Sequence, residues 1–348
     1  MATLWVLFLL VGSPASAGAD PLPECTGRSM YVVAHEDDSL IFQSPALLQE
    51  IRSGRCIQTV YLTAGDAGKD AAYWEDREAG NEAAYAQMAG VPDEWTQTTT
   101  NVGGHPISSE TLDGQPRLSL VYLRLPDGNI TGEGFPAYGN QSLLKLWRSA
   151  NPNGSPSIPS MTAVDGSTTY SYAELIATLT ALIAAYQPQL IATQNYAAGL
   201  PPSFPSFDHP DHLITAYMVR SAQESYAAAH QLIAYKGYDV SNDPQNVTGT
   251  LLGAKQLAFY TYGAHDPETC VDEASCSTTL YGGWLKRQVR TATATTGVVA
   301  DAGYAQEVIA GTKVSLDGSA SSAAGGKPLT YFWTQTKGPP VTLSSATA

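Results

Sequence analysis

Residues 29–38 read Ser29-Met30-Tyr31-Val32-Val33-Ala34-His35-Glu36-Asp37-Asp38. A short apolar, β-branched run gives way at once to imidazole and carboxylates. A buried parallel strand ends this way at the carboxyl edge of an open α/β sheet, where ligands bind.

Working outward, Ile57-Gln58-Thr59-Val60-Tyr61-Leu62-Thr63 repeats the strand pattern and stops at a glycine-containing loop. Between the two strands, Ser44 to Arg52 has helical spacing, with Leu47, Leu48 and Ile51 on one side. A second helix runs from Trp74 to Met88, with Ala79, Ala83, Ala84 and Met88 apolar, and Gly90 and Pro92 end it. The order β-α-β-α predicts an α/β fold with a doubly wound, mostly parallel sheet. Further elements continue it: a strand over Leu118–Leu125, a helix over Tyr172–Tyr186, a strand over Gln189–Thr193 and a long helix over Asp211–Leu232. The Gly/Pro/Ser/Asn-rich stretch from Gly132 to Thr169 reads as a long loop walling a site.

Composition narrows the class. With 18 Lys+Arg against 32 Asp+Glu, the formal charge of −14 excludes a protein that neutralises phosphates over a large footprint, so no nucleic-acid partner is expected. Hydrophobic residues reach 43% and charged residues only 14%, which excludes disorder of the whole chain. Leu4 to Val11 is an apolar run followed by Ala15-Ser16-Ala17; residues 1–19 are read as a secretory signal peptide, and the protein as secreted. No later run is long enough to span a membrane. Four cysteines in an exported chain favour disulfides over metal binding, with Cys25–Cys56 and Cys270–Cys276 as the expected pairs. Asn129, Asn140, Asn153 and Asn246 head N-glycosylation sequons.

The chemistry concentrates in two clusters. Beside His35-Glu36-Asp37-Asp38 stands Asp208-His209-Pro210-Asp211-His212, just ahead of a long helix. Pro210 suits the first helical position, so His209 falls at the cap and His212 one turn in, where the positive helix end disfavours a charged imidazolium. Three of only six histidines lie in these clusters. Each cluster singly can be a helix cap, but caps do not account for the histidines gathering in both. A mixed His/Asp donor set favours zinc or another transition metal over calcium. Three protein ligands with one open position are the catalytic zinc arrangement.

These residues resemble the PIG-L/LmbE-like zinc N-deacetylases, marked by an A-H-P-D-D loop and a later H-x-D-H; the resemblance covers roughly residues 28–290. It implies a Rossmann-like sheet and Zn2+ as cofactor, with His35, Asp38 and His212 as the ligands. It implies Asp37 as general base toward the zinc-bound water, and His209, oriented by Asp211, as oxyanion stabiliser or acid. Arg77 and Asp127 match positions the family uses on its substrate; for each, a surface ion pair or turn residue is the competing reading. Glu36 stands where proline is usual and Ser39 where glutamate often follows, and neither is a proposed ligand. Tyr73, Trp74 and Trp284 can stack on sugar rings, with packing the simpler reading. His105, His230 and His265 are read as structural.

Near Arg290 the composition shifts, and residues 291–300 read as a linker. Beyond it, V-x-L-D-G-S at Val314–Ser319 and Y-x-W-x-Q at Tyr331–Gln335 resemble the first half of a PKD-like, immunoglobulin-like module, so residues 301–348 are expected to form a partial all-β sandwich, incompletely packed. The whole predicts a secreted, zinc-dependent hydrolase removing the N-acetyl group from an N-acetylglucosamine-type sugar in a glycan or glycoconjugate. An amidase or O-deacetylase on another sugar conjugate and a non-catalytic extracellular glycan-binding protein are the alternatives.

Overall fold

Alternate residues of the first strand, β1 (Arg28–Val33), feed two different cores: Met30 and Val32 pack on one face of the sheet, Tyr31 and Val33 on the other. The computed structural model that shows this describes residues 25–151, 155–303, 308, 311–335 and 340–345. The signal segment 1–19 and Asn153 lie outside the described residues.

In chain order the strands continue as β2 (Cys56–Thr63), β3 (Trp95–Val102), β4 (His105–Leu112), β5 (Leu118–Leu125), β6 (Ser160–Thr162), β7 (Thr169–Ser171), β8 (Leu190–Thr193), β9 (His230–Tyr235) and β10 (Arg290–Thr296). Eight of them form one sheet in the order β10-β9-β8-β1-β2-β5-β4-β3. The central five, β9, β8, β1, β2 and β5, are parallel, while β10 on one side and β4 with β3 on the other run antiparallel. The winding reverses at β1, whose neighbours are β2 and β8, so a crevice opens beyond the carboxyl ends of these strands.

The helices are α1 (Asp38–Ile41), α2 (Ala46–Arg52), α3 (Ala71–Ala89), α4 (Leu143–Ala150), α5 (Tyr172–Tyr186), α6 (Pro210–Gln223), α7 (Gly249–Gly263), α8 (Glu273–Cys276) and α9 (Leu280–Leu285). Side chains from α2, α3, α7 and α9 fill the core on one face; those from α4, α5 and α6 fill the other. Local signals set the helix ends. Gly90 closes α3 in the left-handed region, at φ 71°. A capping box opens α5, the Ser171 hydroxyl accepting from the Glu174 amide while the Ser171 amide donates to Glu174. Both expected disulfides are present, with Cα separations of 5.5 Å for Cys25–Cys56 and 5.1 Å for Cys270–Cys276. Among the described residues no helix is long and apolar enough to cross a membrane.

Four expectations need correction. The helix expected over Asp211–Leu232 ends at Gln223, and residues 230–235 are strand β9, because the run His230 to Tyr235 pairs with β8 on one side and β10 on the other. The stretch Gly132–Thr169 is not all loop: it holds α4, whose amide at Lys145 is capped by the Ser142 hydroxyl, and β6 of a small hairpin. Residues 291–296, read as linker, belong to edge strand β10, where threonines alternating with alanines suit an exposed ladder. In the tail, Lys313–Gly318 and Leu329–Thr334 carry no strand. The pairing described beyond β10 is the short ladder of β11 (Val298–Val299) with β12 (Ser322–Ala323), and an alternating pattern without ladder partners does not make a sheet.

Helix α3 carries an acidic stripe. Glu78 is held by Arg124, whose Nε and Nη2 donate to its two carboxylate oxygens at 2.8 and 2.7 Å. Glu82 has no such partner, and burial with the charges of Glu110 and Glu78 pushes its carboxyl up to about 8. The folded state therefore holds this proton more tightly than the unfolded chain, and Glu82 costs stability progressively as pH rises from about 4.5 to about 8. Glu82→Gln is expected to gain stability over the wild type across that window and level off above it. Urea midpoints compared at about pH 5 and pH 8.5 check this, and an equal difference at both would contradict it.

Candidate metal and acid–base site

The loop leaving β1 turns back on itself at once. The His35 amide donates to Asp38 Oδ2 at 2.7 Å, which pins that carboxylate against the strand end, and Gln194 at the end of β8 donates to the same oxygen at 2.8 Å. From across the crevice comes the start of α6, with Pro210 at its first position and His209 at the cap. One turn in, His212 directs Nε2 at Asp38 Oδ1, 2.9 Å away, and at His35 Nδ1, 3.2 Å away; His35 Nδ1 lies 3.5 Å from Asp38 Oδ2. All three residues are buried.

The donor set fits a divalent metal. A tetrahedral ion with bonds of about 2.0–2.1 Å holds its ligand atoms about 3.3 Å apart, close to the spacings of these nitrogens and oxygens. His35, Asp38 and His212 each offer one atom within 4.8 Å of the others. The orienting partners are in place as well: Asp208 Oδ1 lies 2.7 Å from His212 Nδ1, which leaves Nε2 as the donor. The electrostatics also call for a cation. Burial lowers His212, but Asp38 and Asp208 outweigh it and raise the imidazole to about 10.

The other predicted residues gather around this set. Asp37 is buried, with Oδ1 3.2 Å from Arg77 Nη2; burial pushes its carboxyl up to about 6, opposed by Arg77. His209 Nδ1 accepts the Asp211 amide at 3.2 Å, so its ring proton sits on Nε2, which faces Asp127 Oδ1 at 3.9 Å. Burial, reinforced by the charge on His35, lowers His209 to about 4. Asp211 was expected to orient His209. Its backbone does so, while its carboxylate lies 3.5 Å from His35 Nε2, 3.7 Å from His209 Nδ1, and accepts from the Gly128 amide at 2.7 Å. A side chain at Gly128 would meet that carboxylate. Asp127 is buried; its amide donates to Asp66 at 2.6 Å, and its own Oδ1 accepts from Asn129.

Arg77 is not on the surface. It is buried on α3, with Nε 2.6 Å from the Tyr262 hydroxyl and 3.0 Å from Asp266, and Nη1 bonded to the Gly65 carbonyl and 3.4 Å from Glu36. Glu36 is fully buried, and burial raises its carboxyl to about 8. Ser39 joins a hydroxyl cluster with Tyr85, 3.1 Å away, and Tyr61, 3.4 Å away. The aromatics pack. Trp284 is buried, stacks on Tyr238 at 4.7 Å and donates to Ser241; Trp74 lies beneath Arg124; Tyr73 donates to Asp266. His105 bonds Thr168 and His230 bonds Gln223, both structural contacts.

Asp208, Gln194, Tyr262 and Asp266 were missed as supporting groups. Asp208 had a signal, since it stands four residues before His212, next to the cap residue of α6. Tyr262 and Asp266 had none, because the chain brings them to Arg77 from α7 and the turn that follows it, more than 180 residues away.

Several solved structures are similar in fold. The zinc inhibited form of teicoplanin deacetylase Orf2 is 14% identical, with a TM-score of 0.39 over 68% of this chain and 84% of that one. N,N'-diacetylchitobiose deacetylase from Pyrococcus horikoshii is 13% identical, with a TM-score of 0.37 over 70% and 72%. GalB, the 4-carboxy-2-hydroxymuconate hydratase from Pseudomonas putida KT2440, is 12% identical, with a TM-score of 0.38 over 74% and 82%. No curated protein sequence matches the chain. The family model described as PIG-L, GlcNAc-PI de-N-acetylase, matches residues 30–223, more than half of the sequence and the span holding both motif loops, and the chain therefore belongs to the PIG-L family of deacetylases.

Proposed function

We propose that the protein is an exported, zinc-dependent hydrolase that removes the N-acetyl group from an N-acetylglucosamine-type sugar in a glycan or glycoconjugate. One observation carries the reading: in a PIG-L family chain, His35, Asp38 and His212 converge as a buried donor set with the Asp37 carboxylate beside it. His35, Asp38 and His212 would hold the ion. Zinc bound there supplies Lewis acidity, bringing a water's pKa to about 7 and polarising the acyl carbonyl.

The chain's own groups divide the remaining work. Asp37, held by Arg77 Nη2, takes the proton of the attacking water and returns it to the leaving amine. His209, neutral and protonated on Nε2, donates toward the acyl oxygen as negative charge grows there. The Asp211 carboxylate, 3.5 Å from His35 Nε2, favours a proton on that nitrogen, which leaves the Nδ1 lone pair for the metal. Two disulfides and the apolar leader support export to an oxidising compartment.

The test is acetate release from N-acetylglucosamine mono-, oligo- and glycolipid substrates, with chelator and zinc add-back. Release that chelator abolishes and zinc restores is the expected result. No release from any substrate, with zinc bound, would move the reading to another acyl substrate or to a glycan-binding role.

A further inference from the structure

Arg77 is the cation that adjoins the donor set, through its contact with Asp37. A family member acting on a phosphodiester-linked sugar needs a positive group free to meet phosphate. Here Arg77 is already enclosed: Glu36 lies at 3.4 Å, Asp37 at 3.2 Å and Asp266 at 3.0 Å, with the Tyr262 hydroxyl and Gly65 carbonyl on its remaining donors. Asp37 and Asp266 alone outnumber its charge, whatever the state of Glu36.

The neighbouring cations at the carboxyl edge of the sheet are engaged too. Lys69, after β2, pairs with Glu268; Arg124, ending β5, pairs with Glu78 and Asp165; Lys236, after β9, pairs with Asp239 and Asp243. Even with a divalent ion on the donors, the carboxylates of these loops exceed the positive charges, in a chain whose net charge is −14. Buried like charge repels an approaching anion with little screening.

We propose that this site accepts uncharged amino-sugar glycosides and discriminates against sugars joined through a phosphodiester, with Asp266, beside Asp37, setting that preference by neutralising Arg77 and Glu36 closing off its Nη1 arm. The proposal rests on the deacetylase reading and deepens it. Glu36 and Asp266 act through Arg77 and are positioning residues.

The experiment compares two substrates of matched size on the zinc-loaded full chain: the methyl glycoside of N-acetylglucosamine and its 1-(methyl phosphate). The expected kcat/KM ratio favours the neutral glycoside roughly tenfold or more at low ionic strength, shrinking as salt rises to about 0.5 M. In E36Q/D266N, which leaves Arg77 facing Asp37 alone, the ratio is expected to move toward one through a lower KM for the phosphodiester. The salt series needs only the wild type and so stands if that variant does not fold. Equal kcat/KM for both substrates, or preference for the phosphodiester, overturns the charge inference while leaving the deacetylase reading intact. Acetate from neither overturns the deacetylase reading and the inference with it.

Discussion

Asp37→Asn is expected to lower acetate release by about 10²–10⁴-fold, the range that a positioned general base contributes, while zinc stoichiometry stays at the wild-type value. The substitution keeps the size and the oxygen that faces Arg77 Nη2 at 3.2 Å but removes the ability to take a proton. Asp37 is also separate from the donor set, since the atoms that converge belong to His35, Asp38 and His212. Steady-state acetate release beside elemental analysis of the dialysed protein checks both halves. Activity within a few-fold of wild type would remove Asp37 from the chemistry; loss of zinc would make it a ligand.

The second large effect concerns the metal. His212→Ala is expected to abolish stoichiometric zinc, and Asp208→Asn to weaken zinc affinity about 10–100-fold, as removal of a ligand's orienting carboxylate does. Asp208 Oδ1 fixes His212 Nδ1 at 2.7 Å and also accepts the amides of His209 and Tyr238. Its replacement therefore loosens the whole turn that presents the ligand. Competition with a chromogenic chelator measures the affinity without reference to turnover, and unchanged affinity in Asp208→Asn would contradict the assignment.

The residues around Arg77 show why a site can be half legible. Its position was read from a resemblance, with a surface ion pair as the rival. Its burial, and its capture by Glu36, Asp37 and Asp266, depend on α7 folding over α3 from far along the chain. Glu36 is a similar case. A glutamate in a loop reads as a solvated charge, and only the packing of the loop beneath Arg77 turns it inward. The hairpin of β3 and β4 went unread although Gly103-Gly104, both at positive φ, is a hairpin-turn signal; the exposed, threonine-rich flanks hid the hydrophobic alternation.

By itself the sequence determined what depends on neighbours along the chain. These are β1 ending in a chemical cluster, the helix Tyr172–Tyr186 behind its capping box, the cysteine pairs, and the His209 cap with His212 one turn beyond. Periodicity, caps and fixed spacings are local, and they survive without knowledge of the fold. Tertiary structure alone decided which face of each loop meets which partner. Asp211 turns its carboxylate toward His35 as well as its own neighbour, residues 230–235 leave the helix to pair as a strand, and 291–296 close the sheet edge. Those outcomes belong to ladders and buried charges that form only when distant segments meet, because neither a hydrogen-bond ladder nor the desolvation of a carboxylate exists until both sides are present.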